Sequence, residues 1–233
     1  MIVSMSDKNH TEHAFKFAVL ATDTAIFTLR DDQLLVRTIR VQRPPHFPDN
    51  RGLPGGLIHP KENAEDAVAR EIKEKAFLDP KKMYIEQLAT FSDVNRDPRG
   101  RVVAVAYLAL VPWEYLSSEE QVESNGAAWV PLSKAKKLAY DHDEILAIAI
   151  KRLRSRIVYT TLISKMMPHE FTLTELENAY GQVLKATIDK RNFRKKILKL
   201  KIVSPTVKKR GGAFRPAQLY HFTSAKVDEI KIL

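Results

Sequence analysis

The stretch FAVLATDTAIFTL (17–29) alternates apolar with small polar residues, which is the period of a half-buried strand. Asp31 and Asp32 read as a turn and QLLVRTIRVQR (33–43) as the returning strand of a hairpin, ended by Pro44, Pro45 and Pro48. Beyond a glycine-rich turn, where Gly55 and Gly56 let the chain bend tightly, Asn63 to about Ala76 has helical spacing with Ala67, Ile72 and Ala76 among its apolar positions. MYIEQLATF (83–91) and RVVAVAYLALV (101–111) read as strands flanking the polar loop SDVNRDPRG. AAWVPL (127–132) reads as a short strand and HDEILAIAIKRLRSR (142–156) as a helix. This order predicts a mixed α/β layout rather than a uniform βαβ repeat. From about residue 157 the chain turns to short helices and basic clusters. The expected domains are therefore 1–155 and 156–233, stiffly coupled because the boundary falls inside or just after a helix.

The C-terminal third has its own pattern. EFTLTELENAYGQVL (170–184) opens on a capping box, Thr172 with Glu175, and Leu173, Leu176, Ala179 and Tyr180 then line one helical face. In DKRNFRKKILKLKIV (189–203), Asp189 caps a second helix whose Phe193, Ile197 and Leu200 face inward. Lys190, Arg191, Asn192, Arg194 and Lys195 are left for the outside. IVSPTVKKRGGAFRPAQLYHF (202–222) reads as two strands anchored by Val203, Val207, Leu219 and Tyr220, with Lys208, Lys209, Arg210 and Arg215 at or near a glycine tip. Two helices followed by such a hairpin have the layout of a winged helix-turn-helix, in which the second helix enters the major groove.

Charge strengthens that reading. Residues 151–233 carry 19 Lys and Arg against 6 Asp and Glu, whereas residues 1–150 carry 19 against 22, so the net +10 comes from the last third. A solvated basic surface would have the same composition, but a capped helix, a basic helix and a basic hairpin in succession favour DNA. RNA recognition would call for exposed aromatic pairs that the basic third does not offer. No apolar run reaches the length of a membrane span, and MIVSMSDKNHTEHAF lacks the basic head and apolar stretch of a signal peptide. The chain has no cysteine, which excludes disulfides, thiolate metal sites and a cysteine nucleophile. A cytoplasmic protein without membrane partners is expected.

GLPGGLIHPKENAEDAVAREIKEKAFL (52–78) carries the candidate chemistry. Glu71, Glu74 and residue 75 stand at i, i+3 and i+4 on one helical face, where three carboxylates would bind Mg²⁺ or Mn²⁺ and promote attack of water on a diphosphate. The segment resembles the Nudix signature, G-x5-E-x7-R-E-U-x-E-E-x-G-U with U aliphatic. Gly56, Glu62, Arg70, Glu71, Ile72, Glu74 and Leu78 fit seven of its nine positions over 23 residues. The departures are Lys75 at the second Glu of the E-E pair and Phe77 at the Gly; Lys61 also replaces the Gly that usually precedes the first Glu. An ammonium at 75 repels a divalent ion, so loss of hydrolysis is expected, with no catalytic residue and no required cofactor. Glu71 and Glu74 remain as residual Mg²⁺ or Mn²⁺ candidates.

Together with RDPRGRVVAVAY (96–107), LAYDHDEI (138–145), DKRNFRKK (189–196) and GAFRPAQLY (212–220), the box resembles the Nudix-related transcriptional regulators of NrtR type. The resemblance implies a Nudix α/β/α sandwich with a mixed sheet plus a C-terminal winged helix-turn-helix. It further implies a homodimer, binding of a palindromic operator in double-stranded DNA, and a repressor released by ADP-ribose or a related NAD metabolite. Two alternatives accompany it: a sugar such as arabinose as effector, or an active hydrolase of ADP-ribose-type substrates. Arg43, Glu62, Arg70, Glu71, Glu74, Arg96 and Arg99 are the expected ligand-binding residues. Lys190, Arg191, Asn192, Arg194, Lys195, Lys208, Lys209, Arg210 and Arg215 are the expected DNA-binding residues. His59, alone in the glycine-rich loop, is read as incidental.

Overall fold

The computed structural model describes residues 18–211 and 216–230. Strands β1 (Val19–Arg30) and β2 (Gln33–Arg43) form the expected hairpin, with Asp31 and Asp32 both at positive φ, as a two-residue turn matched to strand twist demands. β1 also pairs in parallel with β6 (Val102–Leu110), which pairs antiparallel with β5 (Tyr84–Phe91), so the sheet is mixed. Its path is β3-β2-β1-β6-β5, where β3 is Phe47–Gly52, with β4 (Gly55–Leu57) added to β1 and β7 (Ala128–Pro131) to β2.

Two strands depart from the sequence reading. β3 (Phe47–Gly52) pairs with β2 beyond Pro44 and Pro45, and β4 (Gly55–Leu57) pairs with β1 where a glycine turn was expected. Pro48 is tolerated because β3 is an edge strand. Gly56 is needed for close approach rather than for a turn: a Cβ there would lie 2.2 Å from Glu71 Oε1.

The central strands alternate between two cores, as period-2 patterning requires. Ile26, Tyr107 and Ala109 face the signature helix α1 (Ala64–Glu71) through Val68 and Ile72. Phe27, Ala106, Leu108 and Leu110 face α3 (His142–Tyr159) through Ile145, Ala149 and Leu153. A short α2 (Ser118–Gln121) lies at the periphery. The second core continues without a break through Ile157, Leu162, Met166 and Phe171 into α4 (Leu173–Leu184) and α5 (Lys190–Lys199). β8 (Phe171–Thr172), β10 (Ala217–Phe222) and β9 (Val203–Arg210) form the small sheet beside them. α3 spans position 155 and belongs to both halves. No helix of the described residues is long and apolar enough to cross a membrane.

The signature helix is not α-helical to its end. Residues Ile72–Ala76 form a π turn, whose last carbonyl, Ala76 O, accepts from the buried Arg37 Nε at 3.0 Å. The next residue, Phe77, closes the turn in the left-handed region at φ 54°, although its side chain is more than a third exposed. This explains why the signature has Gly at that position. A left-handed L-residue costs about 1–2 kcal/mol, and the Phe77 ring belongs to none of the hydrophobic core clusters. Phe77→Gly is therefore expected to raise stability by about 1 kcal/mol, read as a higher urea midpoint at unchanged slope; a lower midpoint would contradict it.

Candidate effector pocket and nucleic-acid interface

A pocket of about 530 Å³ opens between the ends of β1, β2 and β4, the signature helix and the loop after β5. Of the expected ligand residues, Arg43, Arg70, Glu71, Glu74, Arg96 and Arg99 line it, and Glu62 stands behind Arg70. His59 is also on the wall. Asn63 starts the helix by accepting from Asp66 N at 2.8 Å, which fixes where Arg70 and Glu71 fall.

Arg70 organises one wall. Its Nε donates to Glu62 Oε2 at 3.0 Å, its Nη2 to Glu62 Oε1 at 2.6 Å and its Nη1 to Glu71 Oε1 at 2.5 Å. The Arg70 hydrogen bonds, joined by the His59 N–H, pull the Glu62 carboxyl down to about 2, so it stays ionised. Lys75 Nζ lies 2.6 Å from Glu71 Oε2 and donates to Gly55 O at 2.6 Å. Glu74, by contrast, is mostly exposed, with Oε2 3.7 Å from Arg70 Nη1.

The opposite wall contains a network that the sequence reading did not assemble. Arg96 Nη2 donates to Asp23 Oδ2 at 2.9 Å and to Asp141 Oδ1 at 2.6 Å, while Nε donates to Asp141 Oδ2 at 2.7 Å. His142 Nδ1 accepts the Leu53 N–H at 2.9 Å, which assigns its proton to Nε2, 3.2 Å from Asp23 Oδ1. Burial pushes the Asp23 carboxyl up, but His142 and Arg96 outweigh it and hold the group below its ordinary value. Arg99 pairs with Asp97, Nη2 to Oδ2 at 2.6 Å, and its guanidinium lies 5.5 Å from the Tyr140 ring centre. Arg43 is exposed and, among the described residues, its side chain bonds only to the neighbouring Gln42 carbonyl. The signal for this wall was Asp23, a carboxylate in the middle of a strand whose neighbouring residues are apolar or threonine.

Neither wall fits a divalent cation. Among the described residues, Asp23, Asp141 and His142 alone approach as a trio of ligand types, and Arg96 already bridges both carboxylates. Glu71 has a cation on each oxygen, Arg70 and Lys75. A separate cleft of about 400 Å³ between the two halves, lined by Lys81, Tyr84, His169 and His221 among others, contains none of the expected residues.

In the C-terminal half, the capping box of α4 is formed, with Glu175 N donating to Thr172 Oγ1 at 3.1 Å and Thr172 N to Glu175 Oε2 at 2.8 Å. Asp189 Oδ1 accepts from Arg191 N and Asn192 N and caps α5. Phe193 and Ile197 are buried, and Lys190, Arg191, Asn192, Arg194 and Lys195 are exposed. Their side chains are not equally free. Asn192 Nδ2 donates to Asp189 Oδ2 at 2.8 Å, and Arg194 Nη2 donates to Thr174 Oγ1 at 2.8 Å. Lys190 and Arg194 also approach the buried Glu177 carboxylate, at 3.8 and 3.9 Å. On the hairpin, Lys208 pairs with Glu170 and Arg210 with Glu175, while Lys209 points to solvent. Arg215 lies outside the described residues. Val207 does not anchor the hairpin as expected: it is fully exposed and lies where the register of β9 against β10 shifts, between the pairs Lys209–Gln218 and Pro205–Tyr220.

Two family models match the chain, a NUDIX domain over residues 20–149 and an NrtR DNA-binding winged helix domain over residues 163–222. Over 217 residues the sequence is 34% identical to the ADPR responsive transcriptional repressor NtrR of Acinetobacter baylyi, covering 90% of this chain and 84% of the relative. A shorter stretch of 94 residues, 40% of this chain and 53% of the relative, is 36% identical to the ADP-ribose pyrophosphatase of Methanocaldococcus jannaschii. The crystal structure of Shewanella oneidensis NrtR complexed with a 27mer DNA superposes with a TM-score of 0.77 at 32% identity, covering 88% of this chain and 93% of that one.

Proposed function

Because the chain belongs to the NrtR family of Nudix-domain transcription regulators, we propose that it is a DNA-binding repressor whose Nudix domain senses ADP-ribose without hydrolysing it. The observation that carries this reading is the reach of α3. Its first residue, His142, is on the pocket wall and bonded to Asp23 and Leu53, and Asp141 before it holds Arg96. At its other end Leu153 and Ile157 lie in the core shared with α4, and Arg154 Nε donates to Val183 O at 2.8 Å in the last turn of α4. Eighteen residues at 1.5 Å per residue make a rod of about 27 Å between pocket and helix-turn-helix. A ligand that redistributes the Arg96 contacts tilts this rod and, through α4, the reading helix.

On the DNA side, α5 offers Lys190, Arg191, Asn192, Arg194 and Lys195 to the major groove, and the wing offers Lys208, Lys209, Arg210 and Arg215. Arginine and asparagine suit base edges there, and lysine suits phosphates. The exposed Val207 among these cations is available for apolar contact with sugar or a thymine methyl. The same reading has a homodimer on a palindromic operator.

Absence of hydrolysis is part of the proposal and is supported by the loading of Glu71 with Arg70 and Lys75. Phosphorylated products released from ADP-ribose with Mg²⁺ faster than by a Glu71→Gln variant would defeat it.

The test is selection of genomic DNA fragments by the full chain at near-physiological salt, followed by titration of the recovered operator complex with ADP-ribose. The expected result is a recurrent palindrome whose affinity falls by about 5- to 150-fold on saturation, the usual range of coupling between sites. Enrichment that tracks salt alone, or an operator complex indifferent to bound ADP-ribose, would defeat the reading.

A further inference from the structure

The Nudix signature implies a divalent cation on its helix, and the residues of this chain do not fit one. The reason is the arrangement of Lys75. Its ammonium lies 2.6 Å from Glu71 Oε2 and 2.6 Å from Gly55 O, bridging the carboxylate of the helix and the backbone of β4. Glu71 Oε2 is buried and receives no well-directed hydrogen bond, so Lys75 answers it by charge. Hard divalent cations seek such an oxygen pair at close range, and here a tethered monovalent cation holds the place. β4 is closed down on the pair: a Cβ on Gly56 would lie 2.2 Å from Glu71 Oε1 and 2.7 Å from Lys75 Nζ.

The amine is not sealed in. The Lys75 side chain is 41% exposed where Glu71 is 3% exposed, and Lys75 lines the pocket beside Arg70 and Arg99. An ammonium has three donors. One serves Gly55 O, a second side faces Glu71, and the third is left for an anion in the pocket.

We propose that Lys75 is a built-in replacement for the divalent metal, a tethered cation that receives the diphosphate of the effector and makes effector binding independent of metal. The proposal rests on the effector reading above and adds which chemistry holds the ligand. The hydrogen bond to the Gly55 carbonyl and the ion pair with Glu71 fix the charge at the pocket wall, and the missing side chain at Gly56 leaves the room for it. Unlike a metal, it neither dissociates into solvent nor activates a water.

The experiment is calorimetric titration of the full chain with ADP-ribose in EDTA and in excess Mg²⁺, alongside Mn²⁺ binding read by electron paramagnetic resonance. Wild type, K75E and K75M are compared, with thermal unfolding to establish that each variant is folded. Wild type is expected to bind ADP-ribose within twofold in EDTA and Mg²⁺ and to take up no Mn²⁺. K75E is expected to bind Mn²⁺ and to require metal for ADP-ribose by at least tenfold. K75M is expected to lose at least tenfold in affinity without gaining Mn²⁺. Wild-type affinity that rises tenfold with Mg²⁺, Mn²⁺ bound by wild type, or K75M binding as wild type would each overturn the proposal. If ADP-ribose binds wild type under no condition, the effector reading falls. Lys75 is then decided by Mn²⁺ alone: uptake by K75E but not wild type supports the replacement, and any other pattern overturns it.

Discussion

Arg191→Ala with Lys195→Ala is expected to weaken operator binding by at least a hundredfold while leaving ADP-ribose affinity unchanged. The two residues are four apart on the exposed face of α5 and, among the described residues, neither side chain is engaged in a hydrogen bond or ion pair. A base contact by arginine is worth about 1–3 kcal/mol, and a lysine on phosphate contributes to the salt-dependent part. Two copies on a palindrome double both losses. Arg194 is a less clean choice: its bond to Thr174 Oγ1 and its approach to Glu177 tie α5 to α4, so its removal also loosens the helix pair. The measurement is operator affinity across a range of salt, where the variant should also show a flatter dependence because fewer phosphates are neutralised. Binding within threefold of wild type would remove α5 from the interface and leave the wing.

The elements legible in the sequence were those whose burial has a period. β1, β5 and β6 send apolar side chains to both cores, α3 puts one apolar face on the second, and both caps of the helix-turn-helix are written in local residues, Thr172 with Glu175 and Asp189. β3 and β4 had no such signal. FPDNRG and GGL are edge additions held by backbone hydrogen bonds, so their side chains carry no alternation. The π turn was also hidden, because Ile72–Ala76 has ordinary helical composition; its trace in the sequence is the residue after it, where left-handed Phe77 replaces the signature's Gly. Val207 was misplaced because the register shift that surrounds it in the wing has no mark in the sequence.

The pocket was legible on one wall and not on the other for the same kind of reason. Glu62, Arg70, Glu71 and Lys75 lie within one local motif, and their meeting follows from helical spacing. Asp23, Arg96, Asp141 and His142 come from β1, the loop after β5 and the start of α3, and only the sheet order brings them together. Charge type alone indicated that Arg96 had work to do. It did not reveal that the partners were the buried Asp23 and the partly buried Asp141 rather than the neighbouring Asp97, which Arg99 takes.

That wall also carries a large part of the stability of the fold. Arg96→Ala is expected to cost about 3–5 kcal/mol at pH 7, the range for removing one partner from a buried ion pair. The guanidinium bridges Asp23 and Asp141, with the Arg96 side chain 4% and that of Asp23 8% exposed, so both carboxylates would be left facing each other without their cation. The pH dependence has a definite sign. Asp23 is held below its ordinary value of 3.8 in the folded chain, so its contribution is present above that value and is lost as pH falls through the lower folded pKa. The gap between wild type and variant should therefore be widest near neutral pH and narrow below about pH 4, the ordinary carboxylate range. Urea unfolding of the full chain at both pH values reads it. Arg96→Lys should fall between the two, since a point charge cannot bridge both carboxylates as the planar fork does. A loss under 1 kcal/mol, or a gap that does not change with pH, would mean that water replaces the guanidinium without penalty. In that case the start of α3 would not be anchored through Arg96, and the proposed transmission from pocket to reading helix would have to run through His142 and Asp23 alone.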